Sequence, residues 1–244
     1  MILTTMIKNR IINIFGYLKN SRNSKAIFYH DIHSSKLFTN MSTPVEMFEK
    51  HIKIIREMGF EIVPEIREEK NQIEISFDDG FVGIFENIDI INRLKIPITL
   101  FIIPSFLGED NFLTKKQLET ISKNPFINIQ SHTFSHKDLS NLSEEILISE
   151  LSNSKTILED ICEKEIVSLC YPMGMFSENV VSKAKEIGYK RQYSSLPGIY
   201  ENEVFPELKR RSLVQFLNVN QFKNILKGGD HFLNYWYTKK YFKT

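Results

Sequence analysis

Apolar positions along the chain follow two spacings that take turns. Runs of strand type lie at 26–29 (Ala-Ile-Phe-Tyr), near 60–63, from Ile73 to Asp78, at Ile98–Ile103, at 126–130 (Phe-Ile-Asn-Ile-Gln), at 166–169, near 190–194 and near 211–216. Helical spacing fills the intervals. Residues 6–19 set Ile7, Ile11, Ile14, Phe15 and Leu18 against Lys8, Arg10, Asn13 and Lys19, a basic amphipathic helix. Thr43 as cap, Pro44 at the first helical position and Glu46 as the return partner predict a capping box and a helix to Gly59. Further helices are predicted near 83–95, from Thr114, from Ser143 to about Cys162, over 178–187 before Gly188, and over Val219–Leu226. Strand alternating with helix argues for a parallel sheet with crossover helices. No internal repeat or linker divides it.

Length and composition narrow the class. The 244 residues suit a single α/β barrel, and 42% hydrophobic with 25% charged residues is the balance of a globular protein. A net charge of +1 gives no strong pull toward nucleic acid. Cys162 and Cys170 form no Cys-x-x-Cys motif and read as buried thiols of a reducing compartment. No apolar run approaches the ~18 residues a membrane span needs. Lys8 and Arg10 follow the first apolar residues and no small-residue cleavage site comes after them, so a signal peptide is not supported. These features predict a cytoplasmic protein. The basic N-terminal helix and the aromatic, basic end (Tyr235, Trp236, Tyr237, Lys239, Lys240, Tyr241, Phe242) offer peripheral membrane contact as a second possibility.

Chemistry collects where the predicted strands stop. His30 follows the first strand, Asp78-Asp79-Gly80 another, His132 and His136 a third, and Tyr171-Pro172-Met173-Gly174 a fourth. In a parallel barrel these ends share one face, where active sites are built. Alone, Asp-Asp-Gly is as easily a solvated turn, and a His-x-x-x-His pair is more often solvated or packed in a core. Together they read differently. A helical turn over 132–136 would put both imidazoles on one side, and two imidazoles with one carboxylate make a three-ligand catalytic metal pattern with room for water. The second aspartate is then free to accept a proton.

These stretches resemble the motifs of one family. Ser76-Phe77-Asp78-Asp79-Gly80 is similar to the first motif of the polysaccharide deacetylases (the NodB-homology, or carbohydrate esterase 4, group). Ser131-His132-Thr133-Phe134-Ser135-His136 resembles the second, and Leu169-Cys170-Tyr171-Pro172-Met173-Gly174 the third. The resemblance covers roughly residues 26–217 and implies a distorted (β/α)7-type barrel with a divalent metal, commonly Zn2+. It makes Asp78 the general base, Asp79, His132 and His136 the metal ligands, and the Met173 N–H an oxyanion donor. Tyr171 and Pro172 fall on the substrate side. Where many members carry an arginine against the base, this chain has Cys170, and Arg210 or Arg211 is a candidate replacement. The late Leu-x-His and the Asp-Trp pair of the family are missing. Tyr29-His30 is similar to the early Tyr-His of a permuted branch, the poly-N-acetylglucosamine deacetylases, which makes His30 the candidate acid. His33 is a substitute, His51 is expected at the surface of its helix, and His231 lies beyond the resemblance.

The resemblance therefore implies a hydrolase that removes acetyl groups from an N-acetylated amino-sugar polysaccharide or its precursor, by metal-activated water with Asp78 as base. An O-acetyl carbohydrate esterase, or an inactive sugar-binding barrel, are the alternatives. The chain divides into an amphipathic segment at 1–25, a catalytic domain at 26–227 and an aromatic, basic tail at 228–244.

Overall fold

The computed structural model describes residues 12, 15–17, 20–201 and 205–243. Most of the amphipathic segment predicted over 6–19 lies outside them.

A nine-stranded, wholly parallel sheet forms the centre. Its strands are β1 (Lys25–Tyr29), β4 (Glu61–Ile62), β5 (Gln72–Phe77), β6 (Ile98–Ile102), β7 (Ile127–Ser131), β8 (Ser168–Cys170), β9 (Arg191–Tyr193), β10 (Leu208–Lys209) and β11 (Arg211–Leu213). They run in the order β10-β9-β8-β7-β6-β5-β1-β11. β4 occupies the early part of β5 on the flank that β6 takes over later. A separate pair joins β2 (Asp31–His33) to β3 (Ser42–Pro44). The two edge strands, β10 and β11, are separated in the chain by Arg210 alone, so the sheet has to curl until its edges meet. Residues near 200 line that seam: Arg210 N donates to Tyr200 O (2.9 Å), and Tyr200 N to Ser24 O (3.3 Å). The distorted barrel is thus present as a curled sheet, with no ladder joining β10 to β11 among the described residues.

Period-two alternation divides the strands between two cores. Ile27, Tyr29, Ile73, Ile75, Phe77, Leu100 and Ile129 face outward under the helices and belong to the larger apolar cluster. Ala26, Phe101, Cys170, Tyr193 and Tyr200 face inward and form a small separate one. Asp78 extends the inward series Glu74, Ser76, so the first motif aims into the barrel.

The covering helices are α1 (Val45–Glu57), α2 (Gly83–Glu86), α3 (Ile88–Leu94), α4 (Lys115–Ser122), α5 (Glu144–Cys162), α6 (Glu178–Glu186), α7 (Val219–Leu226) and α8 (Asn234–Tyr241). Capping boxes start two of them, Thr114 with Gln117 at α4 and Asn218 with Gln221 at α7. The tail docks: Phe176 N donates to Tyr241 O (3.0 Å) and Lys243 N to Phe176 O (2.8 Å). No helix among the described residues is long and apolar enough to cross a membrane.

Three local expectations are corrected. Thr43 and Pro44 do not open a capping box; they pair with β2, and the Thr43 hydroxyl donates to Gln215 O at 3.1 Å. The helix expected at 83–95 breaks at Asn87, whose side-chain amide donates to Gly83 O at 2.8 Å and competes with the helix. His51 is fully buried, because it shares the inward stripe of α1 with Phe48, Ile52 and Ile55. Its Nδ1 meets the Tyr29 hydroxyl at 2.9 Å, and its ring stacks on Phe222.

Candidate active site

The first motif turns sharply at the end of β5. Asp78 N donates to Tyr29 O at 3.0 Å, carrying the β1 ladder one residue further, and then Asp79 (φ 73°) and Gly80 (φ 85°) both turn left-handed. A Cβ at Gly80 would stand 3.0 Å from Ile102 Cδ1, so the turn favours glycine on both counts. The two carboxylates take different partners in consequence: Asp78 meets Arg211, and Asp79 faces His132 and His136.

Across from Asp79, β7 delivers His132. Residues 132–136 are not the helical turn expected; Thr133 (φ 65°) and His136 (φ 59°) fold them into an irregular loop. The loop still brings the imidazoles together, with ring centres 4.9 Å apart. Glu150 of α5 holds it from beneath. Its carboxylate accepts from Ser135 N (2.8 Å) and the Ser135 hydroxyl and pairs with Lys137 (3.3 Å), while its backbone O accepts from Phe134 N (3.1 Å).

Asp79 Oδ1 lies 3.3 Å from His132 Nε2 and 3.5 Å from His136 Nε2. These separations match those between neighbouring ligands of a tetrahedral zinc at bond lengths of about 2.0–2.1 Å. Asp79 Oδ1 is buried without a hydrogen-bond partner, as a ligand atom awaiting a cation would be. His132 Nδ1 lies 2.8 Å from Cys170 O and donates to it, so Nε2 is the ring nitrogen that faces Asp79. Burial and the neighbouring His132 lower the His136 pKa to about 4, so it is neutral near pH 7, the form that ligates. Asp79, His132 and His136 therefore fit a divalent metal.

A second set of donor atoms, from Asp78, His132 and Cys170, also converges. That space is taken by a cation already. Arg211, fully buried, donates from Nη1 to Asp78 Oδ1 (2.7 Å) and from Nη2 to Asp78 Oδ2 (2.8 Å), with Nη2 also 2.8 Å from Cys170 Sγ. Nη1 reaches Ser76 Oγ (2.9 Å), Nε reaches Ser194 O (3.2 Å), and the guanidinium lies over the Phe28 ring at 4.3 Å. Burial alone would raise the Asp78 carboxyl; the charge and hydrogen bonds of Arg211 outweigh it and hold the pKa at about 2. Burial pushes the Cys170 thiol up, so it stays protonated. Of the two arginines that sequence offers as replacements, Arg211 is thus the one against Asp78.

His30 borders the same cleft of about 540 Å³, with Asp78, Asp79, His132, His136, Tyr171 and Met173. His33 is turned toward Ser42 Oγ (2.9 Å), and His51 and His231 do not line the cleft. Met173 takes φ 56° and is 54% exposed at the mouth. Tyr171 is buried, with its hydroxyl committed to Gln192, and Pro172 is buried and off the lining. Leu213 and Phe216, exposed at the rim, were not singled out by sequence, nor were Glu150 and Gln215. Gln215 had one available signal, its position just past the strand that also carries Arg211.

Next to His30, Asp31 is fully buried with neither carboxylate oxygen hydrogen-bonded, and burial raises its pKa to about 7. Gly83 leaves it room, since a Cβ there would stand 2.3 Å from Asp31 Oδ1.

Comparison with known proteins places these residues in company. The family model for polysaccharide deacetylase matches residues 65–191, which include both aspartates and both histidines. The poly-beta-1,6-N-acetyl-D-glucosamine N-deacetylase of Staphylococcus aureus (strain MRSA252) is 27% identical over 229 residues, covering 84% of this chain and 78% of its own. Among solved structures, a polysaccharide deacetylase from Bacillus cereus superposes with a TM-score of 0.72 at 21% identity, over 84% of this chain and 69% of that one. IcaB from Ammonifex degensii gives 0.71 at 14% identity, over 86% and 98%.

Proposed function

The chain belongs to the polysaccharide deacetylase family, and from that premise we propose that it is a metal-dependent amide hydrolase that removes acetyl groups from an N-acetylated amino-sugar polysaccharide or its precursor. One observation carries the reading. An aspartate kept ionised by a buried arginine stands beside a separate Asp-His-His set whose geometry fits a divalent cation. The named substrate of the Staphylococcus aureus relative supports the choice of an amino-sugar polymer.

The residues divide the work. Asp79, His132 and His136 would hold the metal, zinc by the donor set, which when bound polarises a water molecule and the acetyl carbonyl. Asp78 accepts the proton as the water oxygen adds to the acetyl carbon. The Met173 N–H, held at a left-handed turn on the rim, donates to the developing oxyanion. His30 gives a proton to the nitrogen as the C–N bond breaks, so that acetate and the free amine leave. Arg211 orients Asp78 and keeps it charged; the cost is a weaker base, which would suit a water that a bound metal acidifies.

Acetate release from an N-acetylglucosamine oligomer tests the proposal. Metal-stripped protein should be inactive and zinc should restore it, while Asp78→Asn should bind zinc and release nothing. Zinc bound with no release from the oligomer, but release from an O-acetyl sugar, would replace amide by ester. No release from either would overturn the enzyme reading.

A further inference from the structure

His30 reaches the cleft from the end of β1, and its ring is held by one residue. The register of β1 on β11 pairs Ala26 with Arg211 and Phe28 with Leu213. Continued by two residues, it sets His30 opposite Gln215. The contact is there: His30 Nδ1 lies 2.6 Å from Gln215 Oε1. Gln215 is 4% exposed, so its amide has little access to solvent.

The segment around Gln215 is tied on three sides. Val214 N donates to Phe28 O of β1 (3.2 Å), the Thr43 hydroxyl of β3 donates to Gln215 O (3.1 Å), and His51 Nε2 of α1 donates to Leu217 O (3.1 Å). A backbone fastened to three elements makes a fixed acceptor. It also accounts for the burial of His51, which has no place in the cleft.

An amide oxygen can only accept, so the Nδ1 facing it carries a proton. The other ring nitrogen, Nε2, is then the one available to substrate. Resting on the reading of His30 as the acid, we infer that Gln215 is its positioning residue, fixing the ring so that the imidazolium, protonated at both nitrogens, presents Nε2–H to substrate and is left as the Nδ1–H tautomer once that proton has gone. In that step the C–N bond of the tetrahedral adduct breaks, its electron pair goes to nitrogen, and the Nε2 proton passes to the same nitrogen. The partner is a neutral amide, so it orients the imidazolium without adding a formal charge to a cleft that already holds Asp78 and Asp79.

The test compares two acetyl donors on the zinc-loaded full chain: an N-acetylglucosamine oligomer, whose amine needs a proton to leave, and 4-nitrophenyl acetate, whose phenolate does not. General acid catalysis contributes ~10²–10⁴-fold. Gln215→Ala should therefore lower kcat on the amide by ~10-fold or more and change the ester by less than ~3-fold, with His30→Ala showing the same pattern more strongly. Gln215→Glu, which keeps an acceptor, should recover most of the amide rate. Nitrogen-15 spectra should show His30 protonated at Nδ1 in the parent protein, with that preference lost in Gln215→Ala. Equal loss on both substrates, no loss on either, or a parent His30 protonated only at Nε2 would overturn the inference. Equal loss in His30→Ala would overturn the acid assignment and the inference with it. An Nδ1–H signal for His30 in the parent protein alongside that equal loss would trace the failure to the proposed chemistry and not to the contact.

Discussion

Arg211 donates two parallel hydrogen bonds to Asp78, one to each carboxylate oxygen, across 133 positions of sequence. The side chain that holds the proposed base thus comes from the last strand of the sheet and not from the third motif, where many members of the family carry an arginine. Cys170 occupies that place, and its small side chain leaves space for the guanidinium.

Replacing Arg211 should damage both fold and chemistry. Arg211→Met would leave a buried carboxylate without its cation, a loss of about 3–5 kcal/mol. Where the variant folds, desolvation would dominate Asp78 and raise its pKa from about 2. Because the proposed base works only when ionised, the acid limb of the pH–rate profile should move to higher pH. Arg211→Lys should not rescue it, since one ammonium cannot reproduce two parallel bonds. Denaturant melts and a pH profile of acetate release check both expectations.

The exchange between positions 170 and 211 can be run backwards. Cys170→Arg alone would force two guanidinium groups into one buried space and should fail to fold or melt far below the parent. The double variant Cys170→Arg, Arg211→Cys restores one arginine and one small residue, and should recover stability relative to either single change. A double-mutant cycle on thermal melts measures the coupling.

Glu150 should govern metal affinity without touching metal. Its carboxylate takes the Ser135 N–H and hydroxyl and pairs with Lys137, bracketing His136 on both sides. Glu150→Ala should weaken zinc binding by ~10–100-fold, the usual scale for support of a ligand from outside the metal's own shell. Competition with a chromogenic chelator measures this independently of turnover, and an unchanged affinity would refute it.

Asp31 should make stability fall as pH rises. Its folded-state pKa, about 7, lies above the ordinary aspartate value. Its contribution is complete below pH ~4, where the unfolded chain also binds the proton, and is lost as pH climbs through 7, at about 1.4 kcal/mol per unit of difference. Asp31→Asn should accordingly raise Tm at pH 8 and have little effect at pH 4. Paired melts at the two values decide it.

The parts of this molecule that local pattern specifies were legible in its sequence. The longer strands and their parallel arrangement follow from the apolar runs, and Asp78, Asp79, His132 and His136 stand out because motifs keep them close in sequence. α7 has the bounds that helical spacing predicts, Val219–Leu226, and Asn218 with Gln221 caps its start. What escaped depends on partners distant in the chain. Thr43 has the credentials of a helix cap, but its hydroxyl is claimed by Gln215 O. The choice between Arg210 and Arg211 turns on which one the alternation of β11 aims inward, and two-residue β10 was too short to announce itself. The loop at 132–136 reached the expected pairing of imidazoles by an unexpected backbone, because left-handed turns at Thr133 and His136 have no mark in those residue types.

The curled sheet, whose edge strands are neighbours in the chain, also has a temporal meaning. During synthesis the first motif emerges well before residue 211, and until β11 docks beside β1 the Asp78 carboxylate has no guanidinium to meet. The contact that completes the sheet at that edge is the one that charges and aims the proposed base. Long-range closure is the slow step in folds of this kind, so a partly folded chain can present the proposed metal ligands without the proposed base in working order. Competence to hydrolyse would then arrive with the final closure of the fold, as a single event.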